Sequence, residues 1–266
     1  MPSPFVEWAH GLRSLLQSPA RRTFVIGNET ADADSIVTSI VVAFLRHLAD
    51  QTGGPYLPVI RCSLEDMVMR GAAQLLLHDA GIDAGRLLYL PPDADAELLA
   101  AIIAGPTILT DHNDPNEPAG MNVIEIIDHH NYAGHFDEGG KHHNGGLLNK
   151  RIQSTISCST LVAEELQESP HLLTDPDLHT IRKMLLGVIL LDSHGLHPKK
   201  AVTSLDADIA HTLAGETGTE ILPYHEMLEK AHLNEKFWAS ATPSQVRCVG
   251  HPNDLRPDQL TEPHRA

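Results

Sequence analysis

Three short apolar runs in this 266-residue chain end in oxygen-bearing side chains. Residues 23–27 lead into Asn28, then Asp32 and Asp34; residues 107–110 end at Asp111; residues 123–127 end at Asp128, with His129 and His130 directly behind it. A fourth run, 184–191, ends at Asp192. Several carboxylates gathered in one crevice repel one another unless a cation neutralises them. Oxygen ligands with an imidazole suit Mg²⁺ or Mn²⁺, and the histidine favours Mn²⁺ or Co²⁺ over Ca²⁺. Two such ions ~3.5–4 Å apart, bridged by one carboxylate, form the arrangement that activates water for phosphoryl transfer. An Asp after a strand also serves as a plain helix cap or turn residue, but independent caps need not fall at successive strand ends.

The elements that must position these residues alternate along the chain. The apolar runs 23–27, 58–62, 86–90, 107–110 and 122–127 read as strands. Helical spacing marks 5–17, 35–48, 64–78, 94–104, 157–167, 181–191, 205–213 and 221–232, with Ser157 or Ser159 available to cap the fifth of these. Strands alternating with helices imply an α/β fold: a mostly parallel sheet with helices on both faces. In such a sheet the carboxyl ends of the strands share one edge, where ligands bind, so the Asn, Asp and His residues above are expected to converge. Residues 131–150, rich in Gly, His, Asn and Lys, read as a loop. From residue 239 onward Pro recurs without an apolar period, and an irregular tail is expected.

Composition narrows the function classes. With 42% hydrophobic residues the chain is not of a disordered kind. Nineteen Lys and Arg against 35 Asp and Glu give a net charge of −16, which argues against nucleic acid as a structural partner and against an acidic membrane surface. Phosphate chemistry stays open, because metal ions supply local positive charge. Most of the 18 His residues are expected on the surface. Cys62, Cys158 and Cys248 are odd in number and form no CxxC pair, so neither a disulfide framework nor a thiolate zinc site is implied, and a cytoplasmic setting is expected. The N-terminus lacks a signal-peptide pattern, and the longest apolar stretches fall far short of the ~20 residues that span a bilayer. Oligomeric state has no signature in the sequence.

Residues 27–35, Gly-Asn-Glu-Thr-Ala-Asp-Ala-Asp-Ser, resemble motif I of the DHH phosphoesterase superfamily, in the N-x-x-x-D-x-D form of its exopolyphosphatase and prune branch. Thr110-Asp-His-Asn113 is similar to the second motif, Ile127-Asp-His-His130 to the signature that names the superfamily, and Leu186-Gly-Val-Ile-Leu-Leu-Asp192 to the fourth. The ordered set covers roughly residues 23–213 and is far more specific than one triplet. The resemblance implies that Asn28, Asp32 and Asp111 hold one divalent cation and that Asp34, Asp111, His129 and Asp192 hold a second, with Asp111 bridging. Mn²⁺ is the expected ion, with Mg²⁺ or Co²⁺ as alternatives. Asp128 would orient its neighbours, and His130 would meet the substrate phosphate as donor or proton carrier. Lys200 aligns with a phosphate-contacting lysine of the related family II pyrophosphatases. The implied chemistry is metal-assisted hydrolysis: water activated by two metals attacks the terminal phosphorus in line.

Three features set the chain apart from other members of the superfamily. Asn28 stands where family II pyrophosphatases have a His, which implies weaker binding at the first site and speaks against a pyrophosphatase. Ile156 replaces the Gly of the segment that Ser157-Cys-Ser-Thr160 resembles. Residues 239–266 do not resemble the family's C-terminal DHHA2 domain, which closes over the site and adds basic groups. The organisation expected is a catalytic domain over 1–213, a helical linker or the start of a second domain over 214–238, and the tail over 239–266. The functional expectation is an exopolyphosphatase-type phosphohydrolase acting on polyphosphate or a short phosphate substrate. The alternatives are pyrophosphatase or nucleotide phosphodiesterase activity, and a non-catalytic regulatory protein without the substrate clamp.

Overall fold

The computed structural model describes residues 2–233, apart from 51–53, 92–93, 95, 115–119, 133 and 135–147. Six strands form one sheet: β1 (Thr23–Ile26), β2 (Tyr56–Ile60), β3 (Leu88–Tyr89), β4 (Pro106–Thr110), β5 (Asn122–Asp128) and β6 (Asn149–Ile152). Their order is β3-β2-β1-β4-β5-β6, and every pairing is parallel. β1 and β4 are buried along their whole length, which is why they read as continuous apolar runs rather than alternating ones. The strand order reverses between β1 and β4. The crevice of a doubly wound sheet opens beyond the carboxyl ends of the strands at such a point.

Helix α1 (Pro4–Leu16) is capped by Ser3 and buries Phe5, Trp8, Ala9 and Leu12. Phe5 packs on Phe44 of α2 (Ala33–Ala49), with ring centroids 4.9 Å apart. Helix α2 lies on β1 and β2 and against α5 (Cys158–Glu168), which also meets β5. Arg46 of α2 ties this layer together, pairing with Glu125 of β5 at 2.7 Å and with Glu165 of α5. Helix α4 (Ala96–Ala104) packs on β4. The β1–α2–β2 and β3–α4–β4 connections cross the sheet in opposite directions, so right-handed crossovers place α2 and α4 on opposite faces.

Several elements differ from their sequence reading. The single helix expected over 64–78 is a 3₁₀ segment (Glu65–Met69) followed by α3 (Gly71–Asp79). The break falls at Arg70, whose backbone leaves the helical region (φ −111°, ψ 52°). Its buried guanidinium donates to the carbonyls of Thr30, Ala31 and Asp66. Strand β3 is only two residues long, preceded by a 3₁₀ turn (Ala84–Arg86). Strand β6 begins at the end of the expected 131–150 loop and runs two residues past it. Its sequence, Asn-Lys-Arg-Ile, is polar and part-exposed at the sheet edge, so no apolar run announces it. The rest of that expected loop lies largely outside the described residues.

Helix α6 (Asp175–Asp192) starts six residues earlier than its apolar core suggests, with Pro176 in its first turn. Helix α7 (Ser204–Thr217) opens with a capping box of Thr203 and Asp206 and closes at Gly218, where φ is +63°. The boundary expected at residue 213 falls inside α7. Helix α8 (Ile221–His232) buries Tyr224 and Leu228 and packs on α3 and α6. The expected tail, 239–266, lies outside the described residues. Among the described residues, no helix is long and apolar enough to cross a membrane.

Candidate metal centre

The carboxyl ends of β1, β4 and β5 bring Asn28, Asp111 and Asp128 to one edge, and the first turn of α2 brings Asp32 and Asp34. Gly27 makes this approach possible. A Cβ there would lie 2.7 Å from the Ser35 Cβ and 2.9 Å from the Ser35 carbonyl oxygen, so only glycine lets the start of α2 sit against the end of β1. Asp32 caps α2 by accepting from the Ser35 N–H at 3.0 Å.

Asp111 stands at the centre, buried, with a left-handed backbone (φ +62°) that is uncommon outside glycine but better tolerated by Asp than by most residues. Its Oδ2 accepts from the Ser35 hydroxyl at 2.6 Å and from the Asn28 amide at 2.8 Å. Its Oδ1 is buried and accepts no well-directed hydrogen bond, although His129 Nε2 lies 3.2 Å away. Burial and the charges of Asp34 and Asp32 push the Asp111 carboxyl up to about 8.

Asp34 is gripped by the start of α5, accepting from Cys158 N–H at 2.6 Å, Ser159 N–H at 2.9 Å and the Ser159 hydroxyl at 2.7 Å. A carboxylate at a helix N-terminus is favourably placed, yet burial still raises its pKa, against the pull of His129 and these donors. The Asp192 carboxyl, at the end of α6, is held well above its ordinary value by burial and by Asp34, Asp32 and Asp111, with nearby Ser157 opposing the shift. These four acids therefore share one electrostatic site.

The two histidines are oriented differently. His129 Nδ1 lies 3.0 Å from the Thr155 carbonyl, which only accepts, so Nδ1 carries the hydrogen and Nε2 faces Asp111, with Asp34 Oδ2 at 3.9 Å. Burial disfavours the charged imidazole, but Asp111 and Asp34 outweigh it and push its pKa up to about 10. His130 is half-exposed and donates from Nδ1 to Asp128 Oδ1 at 2.8 Å. Asp128 is buried and also accepts from Asn113 at 2.5 Å; although burial alone would raise its pKa, bonds from His130 and Asn113 hold it below the usual carboxylate value. Atoms of Asp111, His129 and His130 able to bind a cation lie within 4.8 Å of one another.

The structure thus brings together Asn28, Asp32, Asp34, Asp111, His129 and Asp192, with Asp128 and His130 adjoining. Lys200 is exposed on the turn after α6, where its N–H bonds the His197 carbonyl, and none of its described contacts reaches the cluster. Asn28 is in the group but turned: its oxygen accepts from Thr30 N–H (3.0 Å), the Thr30 hydroxyl (2.5 Å) and Ala31 N–H (3.2 Å), which leaves the amide nitrogen facing Asp111. The expected Asn28 metal-binding oxygen is therefore engaged by its own loop. Sequence reasoning missed Ser35, Asn113 and Thr155, and gave Ser159 only as a helix cap and not as a donor to Asp34. Ser35 and Asn113 lie inside the quoted motifs and could have been flagged as donors; Thr155 acts through its carbonyl, which has no sequence signal.

The residues present fit a divalent cation. A buried carboxylate oxygen without a directed donor, three further acids and an imidazole nitrogen aimed at it form a hard, oxygen-rich donor set.

No protein-family model matches the chain. Over 211 residues it is 31% identical to a Schizosaccharomyces pombe protein named for exopolyphosphatase activity, covering 75% of this chain and 52% of that protein. Over 199 residues it is 27% identical to the Rattus norvegicus protein named Exopolyphosphatase PRUNE1, covering 73% of this chain and 40% of that one. The chain thus matches about half or less of the length of these relatives. Among solved structures it shares its fold with a Methanococcus jannaschii protein described as a family II inorganic pyrophosphatase (TM-score 0.56, 20% identity, 85% of this chain, 65% of that one). It also shares it with an exopolyphosphatase-related protein from Bacteroides fragilis (TM-score 0.51, 13% identity, 91% and 63%).

Proposed function

Because the chain belongs to the DHH phosphoesterase superfamily, on its exopolyphosphatase and prune-like branch, we propose that it is a divalent-cation-dependent hydrolase of phosphoric anhydrides, releasing terminal phosphate from polyphosphate or a related short substrate. The observation that carries this reading is the Asp111 carboxylate. One of its oxygens is saturated by Ser35 and Asn28, and the other is buried, without a directed donor, beside His129 Nε2 and among the charges of Asp34 and Asp32.

In this reading Asp34, Asp111, His129 and Asp192 hold one ion, and Asp32 with Asp111 forms the protein side of a second. Mn²⁺ is proposed because the donors are mostly carboxylate oxygens with one imidazole nitrogen, and Mg²⁺ and Co²⁺ are the alternatives. Bound there, the cations would offset phosphate charge and make water a nucleophile near neutral pH. The protein's own part is to aim the donors. Thr155 fixes His129 in the tautomer that presents Nε2, and Asp128 keeps the proton of His130 on Nδ1, leaving Nε2 to meet a phosphate oxygen or move a proton. Lys200 is proposed as a substrate contact that would have to move toward the cluster. A cytoplasmic setting accords with the free, buried thiols of Cys62 and Cys158.

Purified protein with Mn²⁺, offered polyphosphate, tripolyphosphate and pyrophosphate, tests the proposal. Phosphate release that disappears in Asp111→Ala and His129→Ala is expected. Release no greater than in those variants on all three substrates would overturn it, and release from pyrophosphate alone would move the assignment to a pyrophosphatase.

A further inference from the structure

The turn that starts α5 holds two of the proposed ligands and lies beside a third. The Thr155 carbonyl accepts from His129 Nδ1 at 3.0 Å, Cys158 and Ser159 hold Asp34, and Ser157 is close enough to Asp192 to favour its charged form. These are the ligands of one proposed ion other than Asp111, which is held separately by Ser35 and Asn28. Behind this turn lies Asp206, fully buried in the first turn of α7. Its carboxylate accepts from Ile156 N–H with both oxygens, each at 3.1 Å, and from the Thr160 hydroxyl at 2.7 Å. It also accepts from Thr203 N–H at 2.8 Å and the Thr203 hydroxyl at 2.7 Å. A capping box alone needs only the Thr203 contacts. The bonds to Ile156 and Thr160 instead join α7 to the turn on either side of Ser157.

We propose that Asp206 is a positioning residue, which touches no ligand itself but anchors residues 155–159 so that Asp34, His129 and Asp192 are presented together. The inference rests on the metal-site reading above, but it can be tested on metal-free protein. Partners that orient metal ligands typically change metal affinity by about 10–100-fold when removed. His130 supplies an internal reference, because its Nδ1 is held by Asp128, itself braced by Asn113, rather than by this turn.

The test uses the full chain with ¹⁵N-labelled histidine and no metal. Solvent exchange of the His129 and His130 Nδ1–H protons is followed by NMR, and Mn²⁺ affinity is measured by calorimetry. In Asp206→Ala, exchange at His129 should quicken by roughly tenfold or more as the turn loosens, exchange at His130 should stay the same, and Mn²⁺ affinity should fall about 10–100-fold. Thr160→Val removes one hydroxyl donor at nearly constant volume and should act in the same direction with a smaller effect; it decides the matter if Asp206→Ala does not fold. Unchanged His129 exchange in a folded variant, or equal acceleration at both histidines, overturns the proposal. Failure of the wild-type protein to release phosphate would defeat the functional reading instead and leave the exchange result standing.

Discussion

The amide nitrogen of Asn28 lies 2.8 Å from Asp111 Oδ2 and donates to it, while three donors from residues 30 and 31 fix the amide the other way round. Turning the amide over would set its NH₂ against the N–H groups of Thr30 and Ala31, so its orientation is built in. Asn28 therefore works as a brace on Asp111 in this geometry. Replacing it with Asp would put a second carboxylate against Asp111 and remove a donor. Asn28→Asp should lower metal-free stability by about 1–3 kcal/mol and enlarge the stabilisation given by Mn²⁺, both read from thermal melts with chelator and with metal. If Asn28→Asp is neutral in chelator, the brace has no energetic weight.

Much of this centre was legible because a parallel sheet collects the ends of its strands. Asn28, Asp111 and Asp128 follow apolar runs that became β1, β4 and β5, and the start of α2 supplied Asp32 and Asp34. What stayed hidden has a common physical cause. The groups that hold the acids are neutral donors brought in by tertiary packing, such as Ser159 on Asp34 and Asp206 behind Ile156, and serines and backbone amides carry no periodic signal. The same applies to Arg70, whose carbonyl contacts accompany the break in a stretch with the period of one helix. Lys200 shows the opposite limit: alignment places a residue in sequence, but its side chain is exposed away from the described cluster contacts.

The cluster's titration predicts an unusual pH dependence. His129, raised from 6.5 to about 10, contributes stability that is complete below pH 6.5 and lost as pH climbs toward 10. Asp111, raised from 3.8 to about 8, also binds its proton more tightly folded than unfolded, so its contribution falls over that interval in the same direction. Asp128 acts in the opposite sense, with stability present above 3.8 and lost on acidification. In chelator the melting temperature should therefore decline from about pH 6.5 to about pH 9. A divalent cation takes the place of the retained protons, so Mn²⁺ binding should release protons and stabilise more as pH rises. A metal-free melting temperature that climbs across this window would contradict the electrostatic picture.

Asp128 and its partners separate proton handling from metal binding. The carboxylate reaches His130 at 2.8 Å and Asn113 at 2.5 Å. Asp128→Asn would set an amide hydrogen against the donor of Asn113 or of His130, freeing His130 to rotate. The expected result is a loss of about 10–100-fold in kcat, with Mn²⁺ content and affinity near wild type, since His129 is oriented by Thr155 instead. Metal content from elemental analysis, set beside initial rates, checks both halves. Parallel loss of metal and rate would mean that Asp128 supports the ions themselves.

Gly27 offers the sharpest link between backbone and chemistry. Its φ is unexceptional, and its importance lies in space: a Cβ would stand 2.7 Å from the Ser35 Cβ and 2.9 Å from the Ser35 carbonyl oxygen. One neighbour is backbone and the other is the first carbon of a short side chain, so neither can swing aside. Gly27→Ala must push the start of α2 away from β1, and overpacking of that kind costs about 1–3 kcal/mol. The same displacement lengthens the Ser35 contact to Asp111, now 2.6 Å, and the Asn28 N–H contact to Ser35, now 2.9 Å. Gly27→Ala should therefore weaken Mn²⁺ binding as well as the fold, whereas Gly187→Ala should lower stability alone, because its Cβ would meet the Leu76, Leu228 and Tyr224 side chains, none of which bonds a proposed ligand. Urea unfolding and Mn²⁺ calorimetry on the two variants separate the cases. Equal Mn²⁺ affinity in both would show that the close approach at Gly27 serves the fold and not the site.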